Sequence, residues 1–304
     1  MKALFGTFHI LRLLRAAFIL GREGVFLDVD PGLLPPAAQP GFFLFRRLAR
    51  KDARTSEDRL PRAMARLGPS YVKLGQFLAT RPDIVGIQTA RTLERLQDRM
   101  APFPRAEAIA IVERSLGQPL SDLFEDFGEP VAAASIAQVH KARTRDEAGG
   151  REVAVKILRP GIEARFQRDL SDMLFASRMA ETWSDEARRL RLVEVVETLS
   201  RSVRLEMDFR LEAAAASEFA ENIQDDPDFR APGVDWNRTS REILVMEWID
   251  GIPLSDHDGL RAAGLDLPAL GRNVIQAFLR HAVRDGFFHA DMHQGHRLVD
   301  SDGR

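Results

Sequence analysis

The sequence predicts an α+β fold in which a few short strands are set among long helices. Residues 131–160 read as three short β-type runs, joined by an Ala/Ser-rich turn and by a loop over residues 145–150 that ends in Gly149-Gly150. A fourth strand pattern covers residues 241–248 and closes at Ile249-Asp250-Gly251-Ile252-Pro253. The segments before, between and after these runs repeat their apolar residues at helical spacing.

The 304 residues allow one large or two small domains with a sizeable core. At 45% hydrophobic and 29% charged residues, the composition is that of an ordinary globular protein. A net charge of -2 gives no reason to expect nucleic acid as a partner. The absence of cysteine removes disulfides, thiolate nucleophiles and cysteine-ligated metals from consideration, and fits a cytoplasmic location.

In chain order, residues 1–58 form an amphipathic helix and a linker. The helix places Leu4, Phe5, Phe8, Leu11, Leu14 and Phe18 at helical spacing, with Arg12 and Arg15 interrupting the run, so it is no membrane span. It is expected to pack on its own protein. The alternative is an interfacial helix whose Lys2, Arg12 and Arg15 meet anionic lipid at the inner face of the cell membrane. Residues 59–118 read as a helical extension. Gly68-Pro69-Ser70 stops one helix and caps the next, which carries Lys73, Gly75, Gln76 and Thr80. A glycine inside a helix costs about 1 kcal/mol against alanine, so something is expected to approach the backbone at Gly75. Lys73, Gln76 and Thr80 share a face that, on spacing, is a solvated polar face. Helices are also expected over residues 106–116, 161–175, 190–219 and 265–283.

The strand Val153-Ala154-Val155-Lys156-Ile157-Leu158 alternates so that Val153, Val155 and Ile157 share one face and Lys156 falls on the other. An ammonium within an apolar strand calls for an anionic partner, a phosphate or a carboxylate, unless an edge position lets it reach water. The helical stretch 190–219, with Glu206, Asp208 and Glu212 close together, is the candidate source of the carboxylate. V-A-[VI]-K is also the third-strand signature of protein kinases, and His289-Ala290-Asp291 has the spacing of a kinase catalytic loop. The three features occur in kinase chain order.

Together with Lys73-Leu74-Gly75-Gln76, the alanine loop of residues 132–140 (AAASIAQVH) and Glu206-Met207-Asp208, these residues resemble the UbiB (ABC1/ADCK-type) atypical kinases from about Leu60 onward. The resemblance implies a kinase-like N-lobe over residues 119–250 and the start of a C-lobe over residues 251–304. It implies ATP or ADP with Mg2+ as cofactors, a role in ubiquinone biosynthesis beside other proteins of that pathway, and a small isoprenoid-linked acceptor or water as target. Ala132, Ala133, Ala134 and Ser135 would stand where kinases carry a Gly-rich loop, and Lys156, paired with Glu212, would hold phosphate oxygens. Val155, Met246, Glu247 and Ile249 would line the nucleotide site, with residues 246–249 as the hinge that receives adenine. Asp291 would take the catalytic-base position. Glu206 and Asp208 would face Lys73 and Gln76, turning the polar helix face into a gate.

The resemblance departs from this sequence at two points. The family pattern continues to Gly-Asn, whereas here it reads Gly295-His296, and imidazole is a poor substitute for the oxygen ligand that magnesium favours. The sequence also stops at Arg304, before a D-F-G segment, so a truncated C-lobe is expected and with it an alternative function, a pseudokinase-like scaffold binding nucleotide or lipid. An aminoglycoside-type phosphotransferase would share Lys156 and Asp291 but leaves Lys73-Leu74-Gly75-Gln76 without a reason.

Overall fold

The computed structural model describes residues 2–33, 39–50, 58–96, 100–146, 149–226, 229–287 and 298–300. The helices before the sheet are α1 (Lys2–Arg22), α2 (Gln39–Arg47), α3 (Arg59–Leu67), α4 (Pro69–Ala79), α5 (Pro82–Val85), α6 (Ile87–Leu93), α7 (Arg105–Leu116) and α8 (Leu120–Leu123). Strands β1 (Phe124–Ala133), β2 (Ala137–Thr144) and β3 (Glu152–Leu158) follow, then α9 (Ile162–Trp183), α10 (Asp185–Leu190), α11 (Leu192–Glu206) and α12 (Phe209–Asn222). The chain continues through β4 (Ile243–Glu247), β5 (Ile252–Pro253), α13 (His257–Ala262), α14 (Leu267–Arg280), a π-helical turn (His281–Asp285) and β6 (Leu298–Val299). These elements fall into two compact units, each drawn from several stretches of chain.

The first unit (Met1–Pro102, Ala133–Ala137, Arg159–Met207) is helical. Helix α9 buries Ile162, Phe166, Leu170 and Met173, and α11 buries Val195, Val196, Leu199 and Val203, each set at helical spacing. Helix α1 is tied to α9 through the buried carboxylate of Asp172. It receives Arg12 Nε at 2.6 Å and Nη2 at 2.7 Å and has His9 Nδ1 at 2.5 Å, so its cost of burial is offset by charge-assisted bonds. Gly68, at φ 109°, lets α3 end and α4 begin without a spacer, and Arg165 of α9 donates to the Leu67 carbonyl at 3.0 Å beside it.

The second unit (Phe103–Ala132, Gln138–Leu158, Asp208–Arg304) holds a four-stranded antiparallel sheet of order β1-β2-β3-β4. Val153, Val155 and Ile157 of β3 meet Ile243 and Val245 of β4 and Ala108, Ile111 and Val112 of α7 in the main core. Strands β5 and β6 form a two-stranded ribbon over Leu260 and Leu270.

The structure revises three of the expected elements. Strand β1 begins at Phe124, seven residues before the apolar run, because Glu125, Asp126, Glu129 and Pro130 are compatible with a strand at the sheet edge. The helix expected over residues 190–219 is divided into α11 and α12. Phe209 is fully buried and its N–H donates to the Arg241 carbonyl at 3.0 Å, while Asp208 adopts an extended conformation and caps α12 through the Arg210 N–H at 3.2 Å. The helix expected to reach Val283 ends at Arg280 and widens into the π turn, leaving Leu279 and Val283 exposed.

Candidate functional site

Strand β3 delivers Lys156 to the sheet face opposite the core, since its neighbours Val155 and Ile157 are fully buried on the other side. Its Nζ lies 2.7 and 2.8 Å from the two carboxylate oxygens of Glu212, in the first turn of α12, and 4.9 Å from the centroid of the Phe209 ring. Capping by Asp208 and burial of Phe209 fix the start of α12, and Glu212 follows one turn later. Lys156 is about a quarter exposed and Glu212 nearly half (26% and 43%), so the pair contributes on the order of 1 kcal/mol or less to stability. An ammonium so placed can add or exchange an anionic partner at small cost.

The β3–β4 register sets Ala154 opposite Met246 and Lys156 opposite Leu244, so Ala154 and half-buried Met246 share the sheet face of Lys156. Val155 does not. Its side chain packs in the core with Val153 and Ile157, as the alternation of β3 requires, so Ala154 and not Val155 stands on the Lys156 face where the resemblance had Val155 line the nucleotide site. At the end of β4 the Glu247 N–H donates to the Gly233 carbonyl at 2.8 Å, and the Trp248 N–H turns back to Glu152 of β3 at 3.1 Å. The exposed Glu247 carboxylate is held by Arg230 at 2.9 Å, and Ile249 is half-buried just beyond.

The alanine turn has no residue at positive φ, so a glycine-free sequence adopts it without strain. Ala132 is exposed at the end of β1. Within the helical unit Ala134 N–H closes the hairpin onto the Ala137 carbonyl at 2.8 Å, and Ser135 is fully buried. Arg159, the residue after β3, donates to the Ala134 carbonyl at 2.7 Å and the Ala101 carbonyl at 2.9 Å. The turn is thus restrained by backbone capture from a guanidinium.

In the same helical unit Lys73 Nζ lies 2.5 Å from Glu206 Oε2. Gln76 is half-buried on α4, and Gly75 is buried where an added Cβ would collide with Leu96 and Met64. The approach that Gly75 permits is therefore made by two apolar side chains of its own unit. Asp208 is engaged by Arg210 at 2.7 and 2.9 Å, which holds its carboxyl below the usual carboxylate range. Asp291 and His296 lie outside the described residues. Among the described residues no group of three or more His, Asp or Glu could hold a metal ion.

Sequence reasoning gave no role to Phe209 or Arg159, nor to the Gln138–His140 network. Gln138 Oε1 accepts the Phe103 N–H at 2.9 Å, and its amide nitrogen lies 2.8 Å from His140 Nε2. His140 Nδ1 lies 2.9 Å from the Gly128 carbonyl, which can act as acceptor and not as donor, so Nδ1 carries the proton and Nε2 accepts from Gln138. Burial pushes the His140 imidazole below its ordinary pKa. The Gln-x-His spacing, which puts both residues on one face of β2, is the signal that could have found it.

An antiparallel sheet whose third strand carries a lysine paired with a glutamate on a following helix defines a kinase-like protein. A family profile described as "ABC1 atypical kinase-like domain" matches residues 95–304, and the chain belongs to that family. It is 43% identical over 244 residues to "Probable protein kinase UbiB" of Marinobacter nauticus, covering 80% of this chain and 44% of that protein. Among solved structures it is similar to Rv3197 of Mycobacterium tuberculosis, solved as a complex with erythromycin, at a TM-score of 0.51 and 30% identity, over 76% of this chain and 56% of that one. The chain spans about half the length of these relatives.

Proposed function

We propose that this chain is the nucleotide-binding part of an atypical kinase or ATPase that supports ubiquinone biosynthesis. The observation that carries the reading is the Lys156–Glu212 pair seated on Phe209. Lys156 donates to phosphate oxygens of ATP or ADP, and Glu212 holds the ammonium in place. Ala132–Ser135 bound the phosphate end, and Ala154, Met246, Glu247 and Ile249 receive the adenine end. ATP supplies the γ-phosphoryl group; the acceptor is water or a hydroxyl on a small isoprenoid-linked molecule, whose proton Asp291 accepts. Lys73, Gly75, Gln76, Glu206 and Asp208 act as the gate on this step. Magnesium accompanies the phosphates; His296 is offered where the family has asparagine, and that substitution supports a second reading, a nucleotide- or lipid-binding scaffold among quinone-pathway proteins. Calorimetry with Mg-ATP should show binding that falls at least ~10-fold in Lys156→Ala, the loss of a charge-assisted contact. Equal affinity in the variant would remove the phosphate role.

Association with an anionic membrane surface is part of the same proposal. Helix α1 packs inward through Arg12 and Ala16 and leaves Phe8, Ile10, Leu11, Leu14 and Phe18 exposed around Arg15. Helix α2 exposes Phe43 and Leu44 beside Arg47, and no acidic residue occurs in either helix. No helix among the described residues is long and apolar enough to cross a membrane. Large apolar side chains interleaved with arginines suit the headgroup boundary. Cosedimentation with vesicles containing phosphatidylglycerol should retain the wild type and lose Leu11→Glu; equal retention of both would assign the stripe to another partner.

A further inference from the structure

The helix that carries Glu212 ends at Asn222, and four residues later Asp226 sits in a buried hub. Its carboxylate accepts from Arg284 Nη1 at 2.8 Å and Nη2 at 3.2 Å, pairs with Arg280 Nη1 at 3.0 Å, and has His281 Nε2 at 3.2 Å. Arg284 also donates to the Asn222 carbonyl at 3.0 Å and to Asp285 at 2.6 and 2.9 Å. His281 is wedged edge-on between Phe219 of α12 and Phe229, with centroids 4.9 and 5.6 Å away. Two arginines balance two carboxylates, so the hub is close to neutral around its imidazole.

All the cationic members lie on the last residue of α14 and the π turn that follows it. A π turn is rare, and tends to persist where function needs it. Here 280, 281 and 284 all reach one carboxylate. The turn leads through Gly286 and Phe287 to the sequence His289-Ala290-Asp291. The hub therefore joins two stretches of chain that, under the proposed function, carry the lysine's partner and the catalytic base.

We infer that Asp226 is a positioning residue: it fastens the end of the Glu212 helix to the turn that precedes Asp291 in the sequence. The inference rests on the kinase-like reading for its catalytic meaning and on the hub alone for its mechanical one. In full-length chain, Asp226→Asn keeps the shape of the side chain and removes its charge. Hydrogen exchange should then quicken about 10-fold in peptides covering both 212–226 and 281–287 while β3 and β4 stay within about 2-fold, since local openings are set by local contacts. Mg-ATP affinity should hold within about 2-fold, phosphate release should fall about 10-fold at unchanged KM, and Asp226→Glu should restore most of both. Arg284→Met, which removes the bidentate partner and leaves Asp226 in place, should reproduce the exchange pattern and serves if Asp226→Asn does not fold. Exchange that rises in one of the two segments, or uniformly across the unit, would overturn the inference, as would a glutamate variant no better than the asparagine one. A wild type that binds no Mg-ATP would count against the nucleotide reading, while the exchange arm would still decide the clamp.

Discussion

Helices α4 and α12 each present a charged residue to a partner of opposite sign, yet they are fixed by different means. Helix α4 is held by shape. Gly75 presses its backbone against Leu96 and Met64, and Val72 of the same helix joins them and Leu93 in a buried apolar cluster. Helix α12 is held at its start by burial of Phe209 together with polar tethers, the Asp208 cap and the Phe209 N–H bond to Arg241, and it presents Glu212, nearly half exposed, to a lysine about a quarter exposed. A helix wedged by packing along its middle has one position, whereas an ion pair as exposed as Lys156–Glu212 can exchange partners at a cost of about 1 kcal/mol or less. The contrast suits a fixed element in the helical unit and an adjustable ion pair beside the sheet.

The largest effect should come from filling the wedge. Gly75→Val places branched carbon where two side chains already meet, and overpacking of this kind costs about 1–3 kcal/mol. Because the atoms in the way are side-chain ends, part of the cost can be relieved by rotation. Urea denaturation should show the full loss, with Mg-ATP affinity of the folded protein unchanged. A variant as stable as wild type would mean that α4 is not packed as tightly as Gly75 indicates.

A smaller loss tests the other helix. Asp208→Ala removes the cap of α12 and should cost about 1 kcal/mol, together with weaker nucleotide binding because Glu212 is no longer held against Lys156. Stability lost without any change in nucleotide affinity would separate the cap from the site.

The parts that could be read from sequence are those where periodicity and charge agree. Lys156 falls opposite three buried positions of a seven-residue strand, and the acidic stretch that follows holds its partner. The break between α11 and α12 could not be read that way, because Met207-Asp208-Phe209 contains neither glycine nor proline. It is made by burial of Phe209 and by a backbone bond to a residue more than thirty positions on, which local pattern does not report. Strand β1 was obscured for a related reason: an edge strand tolerates the charges and proline that mark loops elsewhere. Gly75 announced a close approach, but not that apolar neighbours of its own unit make it.

The weakest expected effect lies in the sheet that carries Lys156. His140 spends both ring nitrogens, on Gly128 and Gln138, and stacks on Phe127 at 4.6 Å, an arrangement that requires the neutral ring. The unfolded chain takes up a proton near the ordinary histidine value of about 6.5, and the folded chain resists it until a lower pH. Between those two values the unfolded state binds more protons, so stability is intact above about pH 6.5 and declines as pH falls below it. Urea midpoints at pH 7.5 and 5.5 should therefore differ more for wild type than for His140→Gln, which cannot titrate. The substitution lowers the midpoint at pH 7.5 as well, since it breaks the network, and the difference between the two pH values isolates the proton. Identical differences in both proteins would place the acid sensitivity outside His140; the paired carboxylates Asp226 and Asp208, both held below their usual range, lose their contribution only as pH falls through about 4 and lower, outside this window.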